Sequence, residues 1–211
     1  GGDGHDHSHG HSHSHNHSHD VEDPNGMSLF GFIDTGRVRC LNEGQPGEGV
    51  GCLKAWDKRE ELEPHLESND GDPELLIYIP FTEVVKIKAI CVRGGSDGSA
   101  PSGMKVWVNR DDIDFSNAPE LPPVQNVETV EGQSVVEYPA KISKMQNVSD
   151  ITLFFPDNFG ADQTIINFIG FKGENTNIRH GVVECVYEAS AQLQDHELEA
   201  KTGQVGAGAI L

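Results

Sequence analysis

This chain is poor in cations: its 15 Lys and Arg stand against 34 Asp and Glu, a formal net charge of −19 at pH 7 over 211 residues. The first twenty residues carry only Asp3, Asp6 and Asp20, so nearly all of the excess belongs to the rest of the chain. Binding to DNA, RNA or an anionic membrane needs a basic patch, which this balance does not supply. It suits a soluble partner with a basic surface, and it also serves simple solubility.

Long hydrophobic runs are missing too. No apolar stretch approaches the ~20 residues that a membrane-spanning helix needs. No hydrophobic signal segment follows a basic start, and the opening Gly-Gly-Asp-Gly-His lacks the Ser or Thr of a myristoylation motif. Without a secretory route, Asn147-Val148-Ser149 reads as a chance glycosylation sequon. A cytoplasmic location is expected, with the nucleus as a second compartment.

Cysteine is scarce, and none of Cys40, Cys52, Cys91 and Cys185 forms a Cys-x-x-Cys pair. That excludes a zinc ribbon and a thioredoxin redox centre. Cys91 and Cys185 are expected to pack as small apolar groups in a reducing compartment. A Cys40–Cys52 bridge is geometrically conceivable.

Catalytic constellations are also lacking. Only His65, His180 and His196 lie outside the N-terminal stretch, and none belongs to a nucleophile motif. The Gly94–Ser99 loop lacks the lysine and spacing of a phosphate-binding loop. An enzyme is not expected.

Residues 1–20 form a low-complexity, His-rich tail with His5, His7, His9, His11, His13, His15, His17 and His19 at every second position. Nothing apolar there offsets the entropy of ordering, so disorder is expected. Imidazoles so spaced can converge on zinc, nickel or copper, weakly and at several sites. The same histidines can instead make a solubilising tail that gains positive charge as pH falls toward about 5.5.

From Val21 the composition changes. Ser28–Asp34 and Val38–Leu41 precede a Gly-rich loop at Asn42–Gly51, and the charged run Asp57–Glu63 can form a short helical turn. Strands are expected at Leu75–Ile79, Val84–Val92, Met104–Val108, Ile151–Phe155, Ile165–Phe171 and Val182–Tyr187. Alternation puts Val85, Ile87, Ala89 and Cys91 on one face of the second, with Lys86 and Lys88 on the other. Turn chemistry separates the runs, at Gly94–Gly98, Pro119–Pro123, Pro156–Asn158 and Gly173–Asn175. About eight short strands without a long amphipathic helix imply an all-β fold of two packed antiparallel sheets, and long irregular connections favour a jelly-roll β-sandwich. The main domain is expected over residues 21–190. Residues 191–211 are expected to be a flexible C-terminal tail, with a marginal helix at His196–Lys201.

Several motifs recur in the order and spacing of one family. Cys40-Leu41-Asn42 comes first, then Lys54-Ala55-Trp56. Ser68-Asn69-Asp70-Gly71-Asp72 follows with Leu75-Leu76 and Pro80-Phe81. Pro101 to Lys105, Asn158-Phe159-Gly160 and Ile169-Gly170-Phe171-Lys172-Gly173 complete the series. Over about residues 28–190 the chain resembles the PITH domain, found as stand-alone proteins and at the C-terminus of a thioredoxin-like proteasome-associated protein. Pro73 departs from the pattern, standing where the family usually has an acidic residue. No thioredoxin Cys-Gly-Pro-Cys centre is present, so redox activity does not carry over. The resemblance implies a galactose-binding-domain-like jelly roll, related in shape to the DOC domain. It also implies a noncatalytic module that binds the regulatory particle of the 26S proteasome, here expected as a monomer with no required cofactor. A fold shared with sugar-binding modules is only an analogy for function.

Candidate partner-binding residues are Trp56, Asp70 and Asp72. Trp56 is either an exposed anchor or a cap on the core beside Phe81. Asp70, Asp72 and Glu74 have carboxylates for calcium but lack EF-hand spacing, and a plain turn, or a short helix capped by Asp70 or Asp72, is the favoured explanation of the same residues. A carbohydrate-binding alternative would use Trp107 or Tyr138 as a stacking platform. A third alternative is metal binding, to zinc or nickel, through the histidine tail.

Overall fold

The apolar run that starts at Leu75 does not stop at Pro80-Phe81, where sequence alone places a strand end. In the computed structural model it continues as one strand through Gly94. The model describes residues 27–176. The histidine stretch His5–His19, the expected strand at Val182–Tyr187, Cys185 and the expected helix at His196–Lys201 lie outside the described residues.

Eight strands are present among the described residues: β1 (Arg39–Leu41), β2 (Leu66–Glu67), β3 (Leu75–Gly94), β4 (Gly103–Val108), β5 (Gln125–Glu128), β6 (Val136–Pro139), β7 (Val148–Phe155) and β8 (Ile165–Asn175). All strand pairings are antiparallel. The long β3 belongs to two layers. Its first half, Leu75 to Pro80, pairs with β1 and β7, and β7 continues to β4 and β5. Its second half, from Val85, pairs with β8 and β6, and β8 continues to β2. The register with β7 breaks between Pro80 and Val85, where the chain turns the corner from one layer to the other. A strand that changes sheets at a bend is the corner device of a jelly roll.

Inward residues of both layers form one core. Ile77, Ile79, Val106, Ile151, Leu153 and Phe155 come from the first layer, and Ile87, Ile90, Val92, Ile166, Ile169 and Phe171 from the second. The expected alternation fails midway along β3. Ile87 pairs with Gly173 and Ala89 with Lys172, so Lys88 is an extra, bulged residue. A bulge reverses which parity faces inward. Val85 and Ile87 therefore enter the core before it, and Ile90 and Val92 after it. Ala89 and Cys91 move to the outer side, contrary to the simple alternation. A second bulge sits opposite Arg93 and Gly94, where Asn167 is the extra residue of β8.

Both outer faces are covered. On the first layer, Leu76, Trp107 and Phe154 are buried under Ile113 and Ala118 from the β4–β5 connection, with Phe115 edge-on to Phe154 at 5.9 Å. On the second, Trp56 lies over Phe168. The charged run after Trp56 forms a single 3-10 turn, Trp56–Lys58, shorter than the expected segment. β5 and β6 close the open side of the sandwich without pairing to each other. The Gln125 amide donates to the Pro139 carbonyl at 2.9 Å and accepts from the Lys141 N–H at 2.7 Å, so a side chain stands in for strand pairing.

Candidate functional site

Four connections converge where β3 ends and β8 begins: residues 68–74, 95–102, 129–135 and 156–164. A fifth segment, Leu62 to His65, leads into β2 beside them. At this end lies an open cleft of about 980 Å³, lined by Leu62, Glu63, His65, 93–97, Ser99, 131–133, Ile165 and Asn167.

The first wall is a tight Gly-rich loop. A Cβ on Gly94 would sit 2.6 Å from the Ala100 Cβ, and one on Gly95 would lie 2.9 Å from the Ile165 Cβ, so only glycine fits this close approach. Asp97 and Gly98 follow at φ 58° and 86°. The Ser99 hydroxyl donates to the Ser96 carbonyl at 2.7 Å, and Ser96 Oγ donates to Asp97 Oδ2 at 3.0 Å. Across the cleft, Glu131 Oε1 accepts from the Gly98 N–H at 3.0 Å and ties the 131–133 segment to the loop. The bulged Asn167 donates its amide to the Leu62 carbonyl at 3.0 Å and fixes the third wall.

Charge in the cleft is unequal. Arg93 is the guanidinium in the lining, and it is already engaged, donating to the Glu60 carbonyl and to Glu60 Oε2 at 2.9 Å. His65 points Nδ1 at Glu63 Oε2 (2.8 Å) and has Nε2 3.9 Å from Glu67. Glu63, Asp97 and Glu131 leave the lining acidic. Its margins are apolar. Among the described residues the large hydrophobic side chains with substantial exposure are Leu41, Leu62, Val130, Ile142 and Phe159. Leu62 lines the cleft and Val130 adjoins it at Glu131. Phe159 sits on a loop hydrogen-bonded to the Gly-rich wall, through Phe159 N–H to the Ala100 carbonyl and Ala161 N–H to the Gly98 carbonyl, both 3.3 Å. Asn158 holds that loop: its amide donates to the carbonyls of Ala161 and Gln163 at 3.0 Å, and its Oδ1 accepts from Gly160 at 2.8 Å.

The residues singled out from sequence fall elsewhere, or have other duties. Trp56 is half-buried against Phe168 (ring centroids 6.1 Å), not beside Phe81, which packs on Phe171 instead. Lys172 and Arg59 lie over its ring at 4.5 and 4.8 Å. The tryptophan is thus a clamp holding the 54–63 segment onto the second layer. Trp56→Ala is expected to lower stability by about 2 kcal/mol, from one aromatic pair and two cation–π contacts. The melting temperature should fall by about 4–8 °C.

Asp70 and Asp72 belong to a turn built around Gly71 at φ 74°. Asp72 Oδ1 accepts from the Glu74 N–H at 3.1 Å. Asn42, itself at φ 69°, pins the turn by donating to the Glu74 carbonyl at 2.6 Å and accepting from Asn69 at 2.8 Å. Among the described residues no three His, Cys, Asp or Glu side chains converge to hold a metal ion. Trp107 and Tyr138, the proposed sugar platforms, are buried in the sheets. Tyr138 is held by the Val130 N–H, which donates to its hydroxyl at 3.0 Å, whereas the buried Trp107 indole N–H has no hydrogen-bond partner.

Cys40 and Cys52 are free thiols, so the conceivable Cys40–Cys52 bridge is not formed. Burial pushes Cys52 up to about 12 and raises Cys40 as well. At pH 8 these two sites therefore hold almost no thiolate. In a Cys185→Ser background, Ellman's reagent should react with the folded protein at least about a hundredfold more slowly than with a model thiol, and fully after unfolding.

Comparison with known proteins agrees with this architecture. The PITH domain family model matches residues 19–191. PITH domain-containing protein 1 of Dictyostelium discoideum is 41% identical over 186 residues, 87% of this chain and 91% of that one. The Homo sapiens protein of the same name is 39% identical over 173 residues, 82% of each chain. Among solved structures, a CBM32 module from Clostridium perfringens in complex with GalNAc-β-1,3-galactose superposes with a TM-score of 0.51 at 11% identity, covering 69% of this chain and 99% of that one. That likeness extends to the galactose-binding-like jelly roll and no further. With the family model matching residues 19–191 and relatives about 40% identical over more than four-fifths of its length, the chain belongs to the PITH domain family.

Proposed function

We propose that this chain is a noncatalytic protein-interaction module that docks on the regulatory particle of the 26S proteasome, the partner its family membership suggests. The observation that carries the interaction reading is the loop-end cleft: an acidic trough flanked by exposed Leu62, Val130 and Phe159. Exposed apolar side chains gathered beside a concave, charged surface suit protein association. His65, the one histidine among the described residues, faces carboxylates on both ring nitrogens and has no hydroxyl or thiol as nucleophile partner. The buried, unbridged Cys52 fits a reducing compartment such as the cytosol or nucleus. No helix among the described residues is long and apolar enough to cross a membrane.

The sugar-binding alternative draws no support beyond fold: none of the residues lining the cleft is Phe, Tyr or Trp. Co-sedimentation of the full chain with purified 26S proteasome at two salt concentrations tests the proposal. Saturable binding that weakens with salt is expected, because surface charges steer and hold the complex. Absence of any association would remove the proteasome as partner.

A further inference from the structure

Resting on the reading that this end of the sandwich docks a protein, we infer that the cleft receives an extended basic peptide segment of the partner, in which lysine or arginine alternates with apolar residues.

Charge argues for this occupant first. Glu63, Asp97 and Glu131 stand on separate walls of one trough. The guanidinium beside them is already bound to Glu60, so it does not neutralise them. Each carboxylate also keeps capacity. Glu131 uses Oε1 on the Gly98 N–H and Asp97 uses Oδ2 on Ser96, which leaves the other oxygen of each for an incoming cation. The Glu63 side chain is 74% exposed. An acidic peptide or a nucleic acid would be repelled by the same groups.

Apolar spacing is the second argument. Leu62 directly precedes Glu63 and Val130 directly precedes Glu131, and both aliphatic side chains are 57% exposed. Two walls thus present an apolar residue next to an acid. An extended chain turns successive side chains to opposite sides, so alternating basic and apolar residues would meet both kinds of surface. Phe159, beyond the Gly-rich wall, offers a further apolar contact where such a segment leaves the trough.

The test is a two-dimensional amide NMR titration of the full chain with a peptide of alternating lysine and leucine, against its counterpart carrying glutamate for every lysine. The basic peptide should shift the amides of Gly95, Asp97, Gly98 and Gly132, and the acidic one should not. The triple variant Glu63→Gln, Asp97→Asn, Glu131→Gln keeps one acceptor oxygen for each hydrogen bond these side chains now accept while removing the charge, so it should fold with an unchanged melt. It should bind the basic peptide about tenfold more weakly. Leu62→Ser should weaken binding without changing its salt dependence. Equal response to both peptides, shifts confined to another face, or an unaffected triple variant would each overturn the inference. Parallel co-sedimentation separates the two readings. Proteasome binding that survives the triple variant unchanged keeps the docking function and rejects this cleft as its seat. A positive, charge-dependent titration without proteasome binding keeps the cleft and rejects that partner.

Discussion

Replacing Gly173 with alanine is expected to destabilise the fold by about 3 kcal/mol or more, the largest effect of any single methyl addition here. Gly173 lies in β8 opposite Ile87, directly before the Lys88 bulge. A Cβ at this position would overlap the Lys86 carbonyl oxygen and lie 3.0 Å from Leu29 Cδ1. The first obstacle is backbone in the central strand, so it cannot swing aside as a side-chain tip can. Relief would require parting β3 from β8, the pair that carries the second layer. Gly173 N–H also donates to the Met27 carbonyl at 2.7 Å, so the N-terminal cover of β8 would move with it. Gly31→Ala is the matched control, because a Cβ there meets nothing within 4 Å. Chemical denaturation of both variants checks the contrast: the control should stay within about 0.5 kcal/mol of the parent.

Phe171→Ala should cost about 3–5 kcal/mol, the range for emptying a buried aromatic site. Phe171 is buried in the core and packs edge-on against Phe81 with ring centroids 5.7 Å apart. Phe81 sits at the corner where β3 passes from the first layer to the second. The pair therefore braces the bend on which both sheets depend, with its flanks fixed by Leu29 N–H donating to the Phe171 carbonyl at 2.9 Å. A double-mutant cycle with Phe81→Ala should show coupling of about 0.5–1.5 kcal/mol. Coupling near zero would mean that the two rings stabilise their sheets independently, with no role for their contact in holding the corner.

The same corner shows where sequence reasoning stops. Leu75–Ile79 and Val84–Val92 were both legible as strands from their apolar content. Pro80-Phe81 reads as punctuation because proline, with no N–H to donate, is rarely found inside a paired strand. Here Pro80 lies where β3 leaves β7, so the missing N–H is tolerated and the strand runs on. The Lys88 bulge is equally silent in sequence. Alternation assigns Ala89 and Cys91 to the face of Val85 and Ile87, and only pairing with β8 reveals the extra residue. β5 and β6 were not visible at all, since Gln125–Glu128 and Val136–Pro139 are short edge strands with exposed positions and little apolar pattern.

The family motifs were legible as a series, and the structure gives several of them a physical meaning. Asn42 pins the Asp70–Asp72 turn, Ser68 Oγ accepts from the Thr164 N–H at 2.9 Å, and Asn158 fixes the loop that carries Phe159. These motif residues build the end of the sandwich; they do not line its cleft. The cleft was missed because its charged residues come from three separate stretches of sequence, at Glu63, at Arg93 to Asp97 and at Glu131, which meet only through the fold. One signal was available. Leu62, Val130 and Phe159 are isolated hydrophobics in charged or turn-rich segments, where no strand or helix pattern gives them a core to enter.

Amide hydrogen exchange of the full chain, free and bound to purified 26S proteasome, tests the central claim most directly. Protection on binding is predicted at 62–65, 94–99, 131–133 and around Phe159, with residues 28–34 and 110–117 unchanged. Protection centred on the 110–117 cover or on the outer face around Trp56, with the cleft exchanging as in the free chain, would contradict it.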